Sequence, residues 1–273
     1  SVIFFQYLKR LMLRGNSLEF FPEGGRSRSG FSLPPRPGLL SMTLRSFASL
    51  NIDNVKIVPT YIGYEKIIEG STYLSELLGE RKKRENLTDI LMSLKDFSNF
   101  LGNAYINFGE PIDLKEFLEK ELEGKKFHLT SPLERPDWLK PATAKLGFEV
   151  MKGINSSVAV TTTSLFSISL LSETTQTLTS KDMNLRIQMF ISLIKDNPNF
   201  QKIWLTSEDP EDICLKIESL GFVETQIIGG DKIYRPNKRD AALLRYYQNN
   251  ISHLFVLYSI ICLALKYVPK VSR

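Results

Sequence analysis

"FPEGGRSRSGFSLPPRPGLLSM", residues 21–42, places Glu23, three glycines and two arginines within ten residues, then passes through prolines into an apolar segment. Just before it stands Ser17-Leu-Glu-Phe-Phe21, which reads as a short buried strand with Gly24-Gly25 as the punctuation after it. Pro34, Pro35 and Pro37 make the next stretch a loop. Residues 38–50 carry the apolar spacing of an amphipathic helix, and residues 55–62 read as a second strand. Residues 104–108 form a third candidate strand, closed by Gly109-Glu-Pro111. Strand, loop, helix and strand in this order predict an α/β fold, a sheet with a crossover connection flanked by helices.

The loop itself carries the chemistry. A Gly-Gly pair after a strand lets backbone N–H groups approach a ligand oxygen. In an extended loop Arg26 and Arg28 share a side, and Ser27 and Ser29 add hydroxyls. Each guanidinium presents a planar donor fork that matches phosphate. The residues leave two readings open: a phosphate site, or a surface loop whose arginines pair with Glu23 or nearby acids. No Gly-Lys-Ser/Thr follows, so this is not a Walker loop, and the Gly-x-Gly-x-x-Gly spacing is absent.

The rest of the chain narrows the class of protein. Its 273 residues, 42% hydrophobic and 24% charged, suffice for a large core. A net charge of +5 points to an anionic partner. Nucleic acid is disfavoured, because the basic residues are interleaved with acids and no recognition motif occurs. Cys214 and Cys262 are the only cysteines and lie far apart, so neither a disulfide framework nor a zinc site is expected, and a reducing compartment fits. Residues 1–12 lack the layout of a secretory signal and read as a helix with Phe5, Leu8, Leu11 and Met12 on one face. Both ends break off inside helical patterns, which predicts a piece of a longer protein.

Beyond Pro141 the character becomes mainly helical, and a soft boundary near 145 divides the chain into 1–145 and 146–273. Residues 154–172 are rich in Ser and Thr yet apolar enough for a buried helix. Residues 181–195 and 210–220 are expected helices, the first capped by Ser180. Residues 222–236 predict a hairpin turning at Gly229-Gly230, and 240–265 one long helix. The run at 79–87 is read as a solvated charged face.

Phe21-Pro-Glu-Gly-Gly-Arg-Ser-Arg-Ser-Gly30, with Gly38-Leu-Leu-Ser-Met42, closely resembles the third conserved block of membrane-bound bacterial glycerol-3-phosphate acyltransferases. Ile57-Val-Pro-Thr-Tyr-Ile-Gly-Tyr-Glu65 resembles the fourth block, and Thr72-Tyr-Leu-Ser-Glu-Leu-Leu-Gly79 the segment after it. Tyr105-Ile-Asn-Phe-Gly-Glu-Pro111 and Tyr246-Tyr-Gln-Asn-Asn-Ile-Ser-His253 are also similar to family segments, so the resemblance spans essentially the whole chain. It implies a partial acyltransferase sheet and transfer of an acyl group to the 1-hydroxyl of glycerol 3-phosphate, giving lysophosphatidate. The resemblance implies acyl-CoA or acyl carrier protein as co-substrate, with no other cofactor and no metal expected. It further implies that Glu23, Gly24, Gly25, Arg26, Ser27 and Arg28 hold the glycerol phosphate. Pro59, Tyr61 and Tyr64 are implied to shape the same or an adjoining site.

The family's base is the His of a His-x-x-x-x-Asp motif. Here His128 is followed five residues later by Leu133, and His253 by Tyr258, so no catalytic residue is assigned. The resemblance therefore implies that this chain carries the phosphate-holding part and is inactive by itself. Residues 251–265 are apolar but short of the roughly 20 residues of a span. With the basic clusters at 81–84, 235–239 and 266–273 they predict attachment to an anionic bilayer surface, at the cytoplasmic face of the inner membrane. A non-catalytic phosphate or anionic-lipid binding module, or a dihydroxyacetone phosphate acyltransferase, shares the arginine block and remains an alternative.

Overall fold

The computed structural model describes residues 2–50, 52–67, 102–129, 131, 134–237 and 240–267. The expectations for 72–79 and 79–87 and the basic cluster at 81–84 lie outside these. The architecture is mixed α/β in two compact units. Unit 1 comprises Ser1–Ser27, Ser32–Tyr61 and Asn107–Ser157; unit 2 comprises Arg28–Phe31, Ile62–Ile106 and Val158–Arg273.

Unit 1 is built on four helices: α1 (Val2–Leu13), α2 (Pro37–Ala48), α3 (Leu114–Glu121) and α4 (Leu139–Ser156). Its core joins Leu40, Leu44 and Phe47 of α2 to Leu114 and Leu118 of α3 and to Leu139, Ala142, Leu146 and Val150 of α4. These positions recur three and four apart, as one buried helix face requires. Pro37 begins α2 at the position where its missing N–H costs nothing. Asp113 caps α3, its Oδ1 accepting from the N–H groups of Lys115 at 2.9 Å and Glu116 at 3.2 Å. Buried Phe5 of α1 lies under the guanidinium of Arg45, 4.8 Å from the ring centre. Strands β1 (Lys56–Ile57) and β4 (Ile112–Asp113) pair antiparallel at the edge of this core.

Strands β2 (Thr60–Tyr64) and β3 (Ala104–Phe108) pair with each other. Gly109 N–H donates to the Pro59 carbonyl at 2.7 Å at one end, and Glu65 N–H to the Asn103 carbonyl at 3.0 Å at the other.

Unit 2 surrounds one buried helix, α5 (Thr162–Leu171). Two of its serine hydroxyls avoid a desolvation penalty by bonding within the helix: Ser167 Oγ donates to the Thr163 carbonyl at 2.6 Å, and Ser169 Oγ to that of Leu165 at 2.8 Å. Around it pack α6 (Ser180–Lys195), α7 (Pro210–Leu220) and α8 (Ala241–Ile251). A parallel pair joins β5 (Ala159–Val160) to β7 (Trp204–Leu205). A three-stranded antiparallel sheet has β9 (Asp231–Pro236) between β6 (Leu178–Thr179) and β8 (Val223–Ile228). The hairpin β8–β9 turns at Gly229-Gly230, as the sequence predicts. Burial pushes the Cys214 thiol up to about 11, which suits an inert core residue.

Five expectations need correction. Residues 17–21 form no strand: Leu18 and Phe21 are exposed, and only Phe20 packs on the core, so neither face is buried as a strand would require. The predicted strand 55–62 is two strands, because Pro59 has no N–H to continue a ladder. The predicted helix 154–172 is the end of α4, then β5, then α5. The cap of α6 is Thr179, one residue earlier than expected, accepting from Asp182 N–H at 3.1 Å. The predicted helix 240–265 breaks after α8 at the 3-10 turn Ser252–Leu254 and resumes as α9 (Val256–Tyr267), bent by 81°. Leu254 and Phe255 are buried there, and Phe255 meets Phe190 edge-on at 4.8 Å, so core packing overrides helical continuity.

Candidate functional site

The glycine–arginine stretch is a closed surface loop rather than an open connection. Arg36 N–H donates to the Pro22 carbonyl at 2.7 Å, bringing the ends of residues 22–36 together, as in an Ω-loop. Glu23 is half-buried in this closure and hydrogen-bonds to the Leu33 backbone. Burial pushes its carboxyl above the usual range, with the Leu33 bond opposing that rise. Ser32 Oγ donates to Asn155 Oδ1 at 2.7 Å, which ties the far limb to α4 within unit 1.

The two adjacent glycines differ in kind. Gly24 has a φ of +66°, and a Cβ there would come within 2.8 Å of Arg36 Cγ. The fold therefore requires Gly24 for its backbone. Gly25 has no such φ, and a Cβ there would meet nothing within 4 Å. Among the described residues nothing asks for glycine at 25, and a Cβ there would enter open space. Arg26 follows it, exposed, then half-buried Ser27 and exposed Arg28. Within unit 1, an uncrowded backbone at Gly25 beside the Arg26 guanidinium fork is chemically suited to an anion.

The residues of Ile57–Glu65 are placed differently. Pro59 is buried in unit 1, and a Cβ on Gly153 of α4 would lie 2.6 Å from Pro59 Cγ. Pro59 therefore sits on the bare flank of a helix and fixes the path of β2. Tyr61 is half-buried in unit 1, while Tyr64 is exposed in unit 2. Unit 1 thus carries Glu23, Gly24, Gly25, Arg26, Ser27, Pro59 and Tyr61, and unit 2 carries Arg28 and Tyr64.

One residue of that segment escaped the sequence reading. Glu65 is only 1% exposed, and its carboxylate is surrounded by donors. Oε2 accepts from Asn103 N–H at 2.8 Å; Oε1 accepts from the Tyr105 hydroxyl at 3.0 Å and the Thr162 hydroxyl at 3.1 Å. The Lys216 ammonium stands 3.6 Å from Oε2. Burial, with the Glu65 carboxylate adding, holds the Tyr105 phenol above its ordinary pKa, which keeps its proton available to the carboxylate. Glu65 joins β2, β3, α5 and α7 within unit 2. The available signal was an acid ending an otherwise uncharged strand.

Both histidines are exposed, and His128 stacks on Phe127 at 5.0 Å. Neither is followed by the spaced Asp of the expected base.

Comparison with known proteins agrees with the motifs. The family described as the glycerol-3-phosphate acyltransferase C-terminal region matches residues 73–273, and the family described as acyltransferase matches residues 2–63. The glycerol-3-phosphate acyltransferase of Pseudomonas putida KT2440 is 35% identical over 257 residues, covering 94% of this chain and 31% of that protein. That of Pseudomonas syringae pv. tomato DC3000 is 34% identical over 273 residues, 100% of this chain and 33% of its own length. That of Pseudomonas fluorescens Pf0-1 is 34% identical over 271 residues, 99% and 32%. The chain therefore spans about a third of the length of the curated relatives it matches. With the arginine loop, the Ile57–Glu65 segment and both family matches in register along the sequence, the chain belongs to the glycerol-3-phosphate acyltransferase family.

Proposed function

We propose that this chain supplies the phosphate-holding part of an enzyme that moves a fatty acyl group from acyl-CoA or acyl carrier protein to the 1-hydroxyl of glycerol 3-phosphate. In that reaction the hydroxyl oxygen attacks the thioester carbonyl, its proton passes to a base, and the thiolate leaves with lysophosphatidate as product. The family resemblance assigns the phosphate to Arg26, Ser27 and Arg28. The base comes from residues other than the two histidines of this chain, neither of which has the required Asp. The residues 1–273 by themselves then bind substrate without turning it over.

The observation that carries this reading is Gly25. Its backbone is unstrained and unpacked, so its lack of a side chain serves approach by something outside the fold. Arg26→Ala and Arg28→Ala, each in the full-length protein, test it. A charge-assisted bond to phosphate contributes about 1.5–3 kcal/mol, so KM for glycerol 3-phosphate should rise roughly ten- to hundredfold while that for the acyl donor stays put. Arg→Lys should recover only part of the loss, because an ammonium lacks the planar fork. A rise in acyl-donor KM instead would assign the arginines to a carrier phosphate.

A second observation favours attachment to a membrane surface, which we propose to be the cytoplasmic face of the inner membrane. Helix α9 has no buried residue, and Leu257, Ile260, Ile261, Leu263 and Leu265 are all exposed. Among the described residues no single helix is long and apolar enough to span a bilayer, although α8 and α9 reach that test together as a bent pair. The exposed apolar helix fits interfacial attachment.

A further inference from the structure

We infer that Asn249 of α8 is a positioning residue that, with the α8 backbone at Tyr246, holds the Arg28–Gly30 segment in place for the substrate phosphate. Three features within unit 2 converge on this. Asn249 Nδ2 donates to the Ser29 carbonyl at 2.7 Å, across 220 residues of sequence. Gly30, with a φ of +86°, is pressed so close to α8 that a Cβ there would stand 2.1 Å from the Tyr246 carbonyl oxygen and 3.1 Å from Asn250 Oδ1. Glycine alone fits both that backbone and that contact. The helix providing the seat is itself fixed. Leu243, Leu244, Tyr247 and Ile251 are buried, Tyr247 meets Phe222 edge-on at 5.5 Å, and its hydroxyl accepts from Ile67 N–H at 2.8 Å.

The consequence follows from where the anchor falls. Ser29 is the residue after Arg28, so fixing its carbonyl and the next α-carbon limits the directions in which the Arg28 side chain can leave the backbone. A guanidinium on a free loop must be ordered by the ligand, at the expense of affinity; one on an anchored loop is ordered beforehand. The segment Tyr246–His253, set apart by the sequence without a task, thus acquires one.

This rests on the phosphate reading of Arg28, and the test separates the two. In the full-length protein, Asn249→Ala removes the bond without crowding the seat, and Gly30→Ala crowds it. Amide hydrogen exchange over residues 28–31 should accelerate in Asn249→Ala, while that of α8 remains protected. KM for glycerol 3-phosphate should rise about fivefold, the size of one neutral hydrogen bond, with acyl-donor KM unmoved. Asn249→Gln, which keeps an amide donor, should recover part of both effects. Unchanged exchange over 28–31 in Asn249→Ala overturns the anchor, whatever happens in Gly30→Ala. Faster exchange without any rise in KM upholds the anchor as a loop contact but overturns its role in substrate binding. Failure of the phosphate reading shows itself separately, as an Arg28→Ala enzyme with unaltered KM for glycerol 3-phosphate.

Discussion

At the scale of single residues, neighbours of the same type do different work. Gly24 and Gly25 are indistinguishable in the sequence, yet only Gly24 has a left-handed backbone with a side chain packed over it. Gly24→Ala should cost about 1–2 kcal/mol of stability through strain, visible as a lower Tm. Gly25→Val should leave Tm within a degree or two and instead raise KM for glycerol 3-phosphate, because the added methyls occupy the space a ligand would enter. A Gly25→Val protein that binds substrate normally would remove the main support for the loop as a phosphate site. Glu65 shows the converse, a residue whose chemistry faces inward. Asn103, Tyr105, Thr162 and Lys216 all present donors to its carboxylate. Glu65→Gln turns an NH2 group towards one of them and leaves a buried donor without an acceptor, which costs about 1–3 kcal/mol. Urea unfolding monitored by Trp fluorescence should report that loss, and Glu65→Asp, which keeps an acceptor-only group, should lose less.

At the scale of elements, the contact between α4 and Pro59 decides between two opposing effects. Replacing a helical glycine by alanine normally stabilises by about 1 kcal/mol. At Gly153 the new methyl would stand 2.6 Å from Pro59 Cγ and 2.8 Å from its Cβ, and both belong to a rigid ring. Overpacking of that kind costs about 1–3 kcal/mol, so Gly153→Ala should lower Tm rather than raise it. Pro59→Ala combined with Gly153→Ala should recover part of the loss, as contacting residues are coupled. The same contact explains why elements were unevenly legible. Helices α2, α6 and α7 and the hairpin β8–β9 carry local signals (the N-terminal Pro37 of α2, the caps of α6 and α7, apolar periodicity and the Gly-Gly turn), and the sequence located them within a residue or two. Residues 17–21 have the composition of a strand, but strand formation needs a paired neighbour that composition does not reveal. The break at Ser252–Leu254 is likewise invisible locally, since it depends on Phe190 lying where Phe255 can reach it. Arg26, Arg28 and the glycines could be proposed as a site from the sequence because their chemistry is local. Glu65 and Asn249 were not, because their partners lie 97 and 220 residues away.

At the scale of the whole molecule, the proposed membrane attachment would rest on charge and apolar exposure together. A net charge of +5 favours an anionic surface, and any such attraction is screened by salt with a Debye length of about 8 Å near physiological ionic strength. Charge alone would make attachment fully reversible at high salt. Helix α9 adds a term that salt does not weaken, because Leu257, Ile260, Leu263 and Leu265 are between 55% and 73% exposed. Burying each such side chain in the headgroup–acyl boundary contributes on the order of 1.5 kcal/mol. The full-length protein should therefore sediment with vesicles containing phosphatidylglycerol at low salt, and a substantial fraction should remain bound at about 1 M salt, where the Debye length falls to 3 Å. Ile260→Glu with Leu263→Glu should abolish the salt-resistant fraction and leave the salt-sensitive one. Neither change touches the arginine loop, so KM for a water-soluble glycerol 3-phosphate should hold while product delivery to the bilayer falls. Binding that vanishes entirely in high salt for the unaltered protein would mean that α9 is covered in the assembled enzyme, and would leave charge as the sole attachment.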